Sequence, residues 1–335
     1  MTATMRAVDI KGGSGPADAL FIATDIPKPS PTGAQALVKV KAFGLNRMDL
    51  MQREGKYPVP KQAPKILGVE FSGVIESVGD KPEGFKVGDE VFGLAYGGAY
   101  AEYINVSTRM LVHKPKELSW EEAAGVPETW ITALQAMYLV GEYQPGKSIL
   151  WHAGASSVSI AGIQLARVDN ASAVFATARQ DEKCDFCVKE LGATAAFNTS
   201  KSDWADEVLK ATDGKGVDII VDFVGADYLQ SNLKAAAQDG KIVCLAAMSG
   251  TKVKDLDISA FVQKRVRVEG STLRSRDEKY QGKLRDQLVE HALPKFQDKS
   301  LKIFVEKVFK FEEIVEAHKL MESNKTKGKI IVTID

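Results

Sequence analysis

A chain of 335 residues is long enough for two domains. Hydrophobic residues make up 44% and charged residues 26%, the balance of an ordinary globular protein. Lysine plus arginine equals aspartate plus glutamate at 44 each, so no net field draws in nucleic acid or an anionic membrane, and no segment approaches the apolar length of a membrane span.

Residues Met1–Asp9 lack a basic region followed by an apolar core, so no secretory signal is expected, and Met5–Ile10 reads as an early strand. To about residue 125 the sequence is rich in glycine, proline and short β-branched runs. Ala36–Ala42 (ALVKVKA) alternates like a half-buried strand, and Gly73–Val78 and Asp89–Phe92 look similar. Turn chemistry at Pro27, Pro29, Pro31–Gly33, Gly79–Pro82 and Gly97–Gly98 separates them, which predicts an irregular antiparallel β domain.

The texture changes at Ser119, which makes a capping-box pattern with Glu122. Beyond it, strands alternate with helices. Ser148–His152 precedes a helix over Val158–Val168, Ala173–Thr177 precedes Asp181–Leu191, and Ala195–Phe197 precedes Asp206–Thr212. Val217–Phe223 (VDIIVDF) suits a parallel strand covered on both faces. It is followed by a helix over Tyr228–Ala237 and strands at Lys241–Leu245 and Val266–Gly270. Such alternation predicts a doubly wound parallel sheet. The tail holds an amphipathic helix (Gln281–Ala292), a strand near Val305–Val308, a helix (Phe311–Ser323) and a last strand (Lys329–Ile334). The expected architecture is α/β, with a nucleotide domain (126–269) inserted into a β-rich domain built from residues 1–125 and 270–335.

Ser148–Ala166 (SILWHAGASSVSIAGIQLA) stands where a dinucleotide fingerprint belongs. Small residues there let the backbone approach a pyrophosphate, and the helix N-terminus offers free N–H groups and a positive dipole end. Ala153, Gly154 and Ala155 keep the turn small, and Ser156, Ser157 and Val158 open the helix. The next strand ends in Ala176–Arg179 with no acid at its tip. An acid there would grip a ribose 2′-hydroxyl, whereas Arg179 and Lys183 can neutralise a 2′-phosphate, which favours NADPH over NADH. The alternative reading of Arg179 and Lys183 is solvated surface charge, and Asp181 and Glu182 stand close by.

Further segments carry a resemblance. They are Gly44–Tyr57 (GLNRMDLMQREGKY), Ile66–Gly73 (ILGVEFSG), Val87–Val91, Gly97–Tyr103 (GGAYAEY), Ala123–Ala133 (AAGVPETWITA), Leu191–Ala193, Val221–Gly225 (VDFVG), Gly270–Arg276 (GSTLRSR), His318–Asn324 (HKLMESN) and Gly328–Ile330. In this order they resemble the medium-chain dehydrogenase/reductase family, in its quinone oxidoreductase branch. The run Leu273–Asp277 (LRSRD) is similar to the stress-inducible quinone oxidoreductases of animals. The resemblance implies a GroES-like β-rich catalytic domain, a Rossmann domain and a cofactor cleft between them. It puts Asn46 and Tyr57 at the nicotinamide and substrate, and Thr132 at the nicotinamide end. Ser156, Ser157 and Val158 would line the pyrophosphate, and Arg179 and Lys183 the adenosine phosphate. Phe223, Val224, Ala246 to Met248, Leu273, Arg274, Ser275 and Asn324 would line the remainder. Ser157 and Ser159 stand where relatives usually keep glycine.

Zinc-dependent relatives carry a cysteine near the position of Arg47, a histidine within Gly68–Glu70 and a four-cysteine lobe. Here arginine and valine fill the first two places and no cysteine precedes Cys184, so no metal is expected. Cys184 and Cys187 share a face of a predicted helix, where they read as small packed hydrophobes rather than a redox pair. Three cysteines in all fit a reducing compartment, and a cytoplasmic location is expected. His152 reads as a packing and hydrogen-bonding residue.

The expected activity is NADPH-dependent reduction of a small-molecule quinone by hydride transfer without a metal. Tyr57 and the Asn46 amide would polarise the acceptor oxygen. The alternative substrates are α,β-unsaturated ketones and aldehydes, whose reduction needs a placed proton donor. A further alternative is a non-catalytic nucleotide-binding or RNA-associated protein. A homodimer is expected through the sheet edge near Val266–Leu273.

Overall fold

The computed structural model describes residues 3–335. Met1 and Thr2, the start of the stretch read for a signal, lie outside the described residues. The chain divides into two units, one of residues 1–131 and 274–335 and the other of 132–273.

In the first segment β1 (Thr4–Ile10) and β2 (Leu20–Pro27) form an antiparallel ribbon. They are followed by β3 (Gln35–Gly44), the short helix α1 (Arg47–Arg53), β4 (Glu70–Val78), β5 (Glu90–Leu94), β6 (Tyr103–Ser107) and β7 (Leu111–His113). The capping box is present at α2 (Trp120–Ala124): Ser119 Oγ accepts from the Glu122 amide at 3.1 Å, and Glu122 Oε2 accepts from the Ser119 amide at 2.9 Å. Helix α3 (Pro127–Leu134) follows and runs into a π turn, Gln135–Val140.

The second unit is the alternating region. Its elements are β8 (Ser148–Trp151), α4 (Ser157–Val168), β9 (Ala173–Ala178), α5 (Asp181–Lys189), β10 (Ala195–Asn198), α6 (Trp204–Ala211), β11 (Val217–Asp222), α7 (Ala226–Ala235), β12 (Ala236–Cys244), α8 (Ser259–Gln263) and β13 (Arg267–Gly270). All six strands pair in parallel in the order β10-β9-β8-β11-β12-β13. That is the doubly wound 3-2-1-4-5-6 order. Strands β8 and β11 are apolar on both faces because helices cover both: Ile149, Leu150, Ile220 and Val221 are fully enclosed. Helix α7 ends at Ala235, two residues before the expected end, because Ala236 is drawn into the sheet opposite Val217.

In the tail, α9 (Glu278–Gln287) starts three residues before the expected Gln281, since Asp277 caps it by accepting from the Tyr280 amide at 2.8 Å. A π turn (Leu288–Ala292) and α10 (Leu293–Gln297) prolong it, followed by β14 (Val305–Lys310), α11 (Ile314–Glu322) and β15 (Lys329–Thr333). The last strand is inserted beside β3 in a sheet ordered β14-β15-β3-β4-β5-β7, with β6 also on β3. Both ends of the chain therefore build the same sheet. Phe43, Phe71, Phe92 and Tyr100 fill its core.

Candidate functional site

The first unit gathers an enclosed polar cluster where β3, β4, β15 and α3 begin or end. Glu70, the first residue of β4, is fully buried. Its Oε1 accepts from Asn46 Nδ2 at 2.8 Å and from the Lys329 ammonium, and its Oε2 accepts from the Glu128 amide at 2.9 Å. Lys329 also donates to Asn46 Oδ1 at 3.0 Å and to the Leu45 carbonyl at 2.9 Å. The cluster needs Gly44 bare, because a Cβ there would stand 2.4 Å from Glu70 Oε1. Asn46 precedes α1, yet its side chain turns inward to Glu70 and Lys329. Both ends of its amide are engaged, and one amide hydrogen remains for an acceptor.

Asp49 extends the cluster. Its Oδ2 accepts from the Asn46 amide at 2.8 Å and from the Tyr100 hydroxyl at 3.1 Å, and burial pushes its carboxyl up to about 6. Arg274, 3% exposed, donates from Nε to the Tyr96 carbonyl and from Nη1 to Gln52 Oε1, each at 2.7 Å. Its guanidinium lies over the Tyr57 ring, 5.3 Å from the centroid. Burial, then the charge of Glu128, raises the pKa of the half-buried Tyr57 hydroxyl, and Arg274 opposes them. Tyr57 therefore stays a proton-bearing donor at neutral pH. Of the other expected residues of this unit, Ser275 is exposed, and Asn324 Oδ1 accepts from Arg47 Nη2 at 2.6 Å.

In the second unit the expected fingerprint is a tight turn from Ala153, at φ +48°, into α4. The Ser156 hydroxyl accepts from the Ser159 amide at 3.4 Å, and the first helical bond runs from the Ile160 amide to the Ser156 carbonyl. The amides of Ser157 and Val158 are left at the open helix end, where an anion is favoured. Ser159 is fully buried and donates its hydroxyl to the His152 carbonyl at 2.7 Å, so it faces the interior rather than the turn's mouth. Gly154 rests on α5 and β9: a Cβ would stand 2.6 Å from Cys187 Sγ and 2.8 Å from Ala176 Cβ. Both cysteines of the C-x-x-C are buried, and burial pushes the Cys187 thiol up to about 12. These are packing thiols.

His152 joins the strand ends. Its Nδ1 meets Thr177 Oγ1 at 2.8 Å and its Nε2 meets Asn232 Oδ1 at 2.7 Å, while Asn232 Nδ2 donates to Asp222 Oδ2 at 3.0 Å. Burial lowers its pKa and keeps the imidazole neutral. Asp222 Oδ1 in turn accepts from the Val224 amide at 2.6 Å, which fixes the Phe223–Val224 turn. The Met248 amide donates to the Phe223 carbonyl at 3.1 Å, so Ala246–Met248 lies beside that turn. Arg179 is exposed past β9, and Lys183 is half-buried in the first turn of α5. Thr132 is half-buried in α3, and Leu273 is buried past β13.

Sequence reading missed two features. Lys201, after β10, pairs with Asp181 and holds its carboxyl below the usual range, with help from Asn198 Nδ2 at 2.7 Å. Glu70, Glu128 and Lys329 also went unmarked, although each lies in a segment that carried the resemblance.

A family model described as an alcohol dehydrogenase GroES-like domain matches residues 32–116, and one described as a zinc-binding dehydrogenase matches residues 157–289. A probable quinone oxidoreductase of Schizosaccharomyces pombe is 33% identical over 323 residues, 95% of this chain and 94% of that protein. The chain also spans 14% of the length of a Mycobacterium tuberculosis phenolphthiocerol/phthiocerol polyketide synthase subunit, at 28% identity. Among solved structures, a Pseudomonas syringae quinone oxidoreductase superposes with a TM-score of 0.86 at 28% identity, covering 98% of this chain and 99% of that one. The CurK enoyl reductase does so with 0.85 at 27% identity, covering 99% and 100%. Mycobacterial Rv1454c complexed with NADPH gives 0.85 at 26% identity, covering 98% and 99%. The chain belongs to the medium-chain dehydrogenase/reductase family of oxidoreductases.

One of the family descriptions names zinc, and the residues of this chain do not fit that ion. Among the described residues no group of three or more His, Cys, Asp or Glu is placed to hold a metal. The buried carboxylate of Glu70 already has the Lys329 ammonium as its cation.

Proposed function

We propose that the protein is a metal-independent, NADPH-dependent reductase of small electron-poor acceptors, with quinones as the first class. The observation that carries the cofactor choice is the group of charges past β9. Arg179 and Lys183 stand there with no acid at the strand tip, and the neighbouring Asp181 is neutralised by Lys201. That charge arrangement suits a 2′-phosphate better than a free ribose. The amides of Ser157 and Val158 would hold the pyrophosphate, with Gly154 and Ser156 shaping the turn. Bound nicotinamide supplies the hydride at its C4. Tyr57 and the remaining Asn46 amide hydrogen would stabilise charge developing on the acceptor oxygen.

A quinone suits this site because its reduced form takes protons from water. The reading gains from the likeness to quinone oxidoreductases of yeast and Pseudomonas. A second reading, reduction of α,β-unsaturated ketones and aldehydes, is favoured by one observation: Glu128 is a buried acid that stays protonated at neutral pH. Pairing of two copies through the β13 edge is part of the proposal, since Arg267–Gly270 are exposed and bonded on one side only, to β12. The three unpaired cysteines suit a cytoplasmic setting. The test is fluorescence titration with NADPH and NADH, followed by turnover with a quinone panel and an enone panel. Tight NADPH binding with quinone turnover is expected. Binding of neither nucleotide would overturn the proposal.

A further inference from the structure

Glu128 is the second residue of α3, a place where the helix dipole normally favours a charged carboxylate. It is 6% exposed, its Oε2 is fully enclosed, and no hydrogen-bond partner reaches that atom. The charged groups that act on it are Glu70, Lys329, Arg274 and Asp49, and its own charge acts in turn on Tyr57. Neither nearby cation bonds to it, although the buried Nη2 of Arg274 has no hydrogen-bond partner. Lys329 is committed to Glu70 and Asn46, and two arms of Arg274 are committed to the Tyr96 carbonyl and Gln52. Burial and the adjacent Glu70 charge outweigh the helix dipole and hold the carboxyl up to about 8. The result is a neutral acid whose enclosed Oε2 has no hydrogen-bond partner in the protein. A buried donor without a partner is costly unless something else takes the hydrogen bond.

We propose that Glu128 is the proton donor of the reaction and that the acceptor class needing it is the α,β-unsaturated carbonyl compounds. The proposal rests on the reductase reading above and extends it. The hydride forms a C–H bond at the β-carbon, and the alkene π pair moves toward the carbonyl oxygen to give an enolate. The O–H bond of Glu128 then breaks, and its proton forms the second C–H bond at the α-carbon. Glu128 is left as a carboxylate and is reprotonated from water. Tyr57 donates a hydrogen bond to the enolate oxygen and is not consumed.

The test combines the free protein and the loaded enzyme. In the free protein, the infrared band of a protonated carboxyl should titrate with a midpoint near 8 and be missing from Glu128→Gln. With NADPH and an enone, the wild-type kcat should fall on the alkaline side with a similar midpoint. Glu128→Gln should lower kcat about 100-fold, remove that alkaline limb and leave NADPH affinity unchanged. The proposal is overturned if Glu128→Gln keeps enone turnover or keeps the alkaline limb, or if no carboxyl band titrates above the ordinary range. Should the variant fail to fold, a wild-type enone profile flat through pH 8 overturns it equally. Absence of NADPH binding in the wild type would instead defeat the reductase reading itself, and this proposal with it.

Discussion

Lys329 places its ammonium on the Glu70 carboxylate 259 positions earlier in the chain, both residues almost wholly enclosed at 3% and 0% exposure. The pair ties the last strand to the start of β4, and its hydrogen bonds to Asn46 set the side chain proposed to face the acceptor. Removing one member strands the other as a buried charge. Lys329→Met should therefore destabilise the protein by about 3–5 kcal/mol in chemical denaturation, and adding Glu70→Gln should recover much of that. A single variant as stable as wild type would show that the pair carries no structural weight.

The same cluster predicts a pH dependence of stability. An acid whose folded pKa lies above its unfolded value binds more protons when folded. Its contribution is fully kept below the unfolded value and is lost as pH rises through the folded one. For Glu128 the window runs from 4.5 to about 8, and for Asp49 from 3.8 to about 6. Between about 6 and about 8, Glu128 alone is titrating within this pair of groups. Glu128→Gln should accordingly gain stability relative to wild type across that interval. Parallel denaturation midpoints of the two proteins from pH 6 to 8 would contradict the assignment.

How much of this was legible beforehand follows from how each feature is encoded. The second unit was readable because the inner strands β8, β9 and β11 are mostly apolar runs and helices follow them, a local signal. Ser119 with Glu122 was readable for the same reason. Strands β2, β6 and β7 and helix α1 were not. Of these, β6 (YINVS) and β7 (LVH) are short, at five and three residues. The cluster of Glu70, Glu128 and Lys329 has no local signature at all, since single charged residues in strands and helix starts look like surface until the sheet brings them together. Asn46 and Tyr57 were reached only through resemblance. Lys201 was missed because its partner Asp181 is 20 residues away.

That Lys201–Asp181 pair makes a prediction about cofactor choice. Freed of its partner, Asp181 would repel a 2′-phosphate. Lys201→Ala should thus weaken NADPH binding while leaving NADH nearly unchanged. Arg179→Ala should weaken NADPH binding by about tenfold, the loss of one charge-assisted contact. Fluorescence titrations with both nucleotides decide the matter. Equal losses for NADPH and NADH would mean that these residues do not read the phosphate.

The turn before α4 predicts a stability effect that is separate from any ligand. Gly154 lies against Cys187 Sγ and Ala176 Cβ, at 2.6 and 2.8 Å from where its own Cβ would be. Both neighbours are enclosed, and Ala176 sits in a central strand that cannot move aside. Gly154→Ala should therefore destabilise the fold by about 1–3 kcal/mol through overpacking. Adding Cys187→Ala removes the nearer obstacle and should restore part of the loss, while the Ala176 contact keeps the rest. The double variant also separates packing from redox chemistry. If it binds NADPH like wild type, the C-x-x-C contributes bulk beneath the turn and nothing more. If Cys187→Ala by itself abolished binding in a stably folded protein, the reading of that thiol as packing would have to be given up.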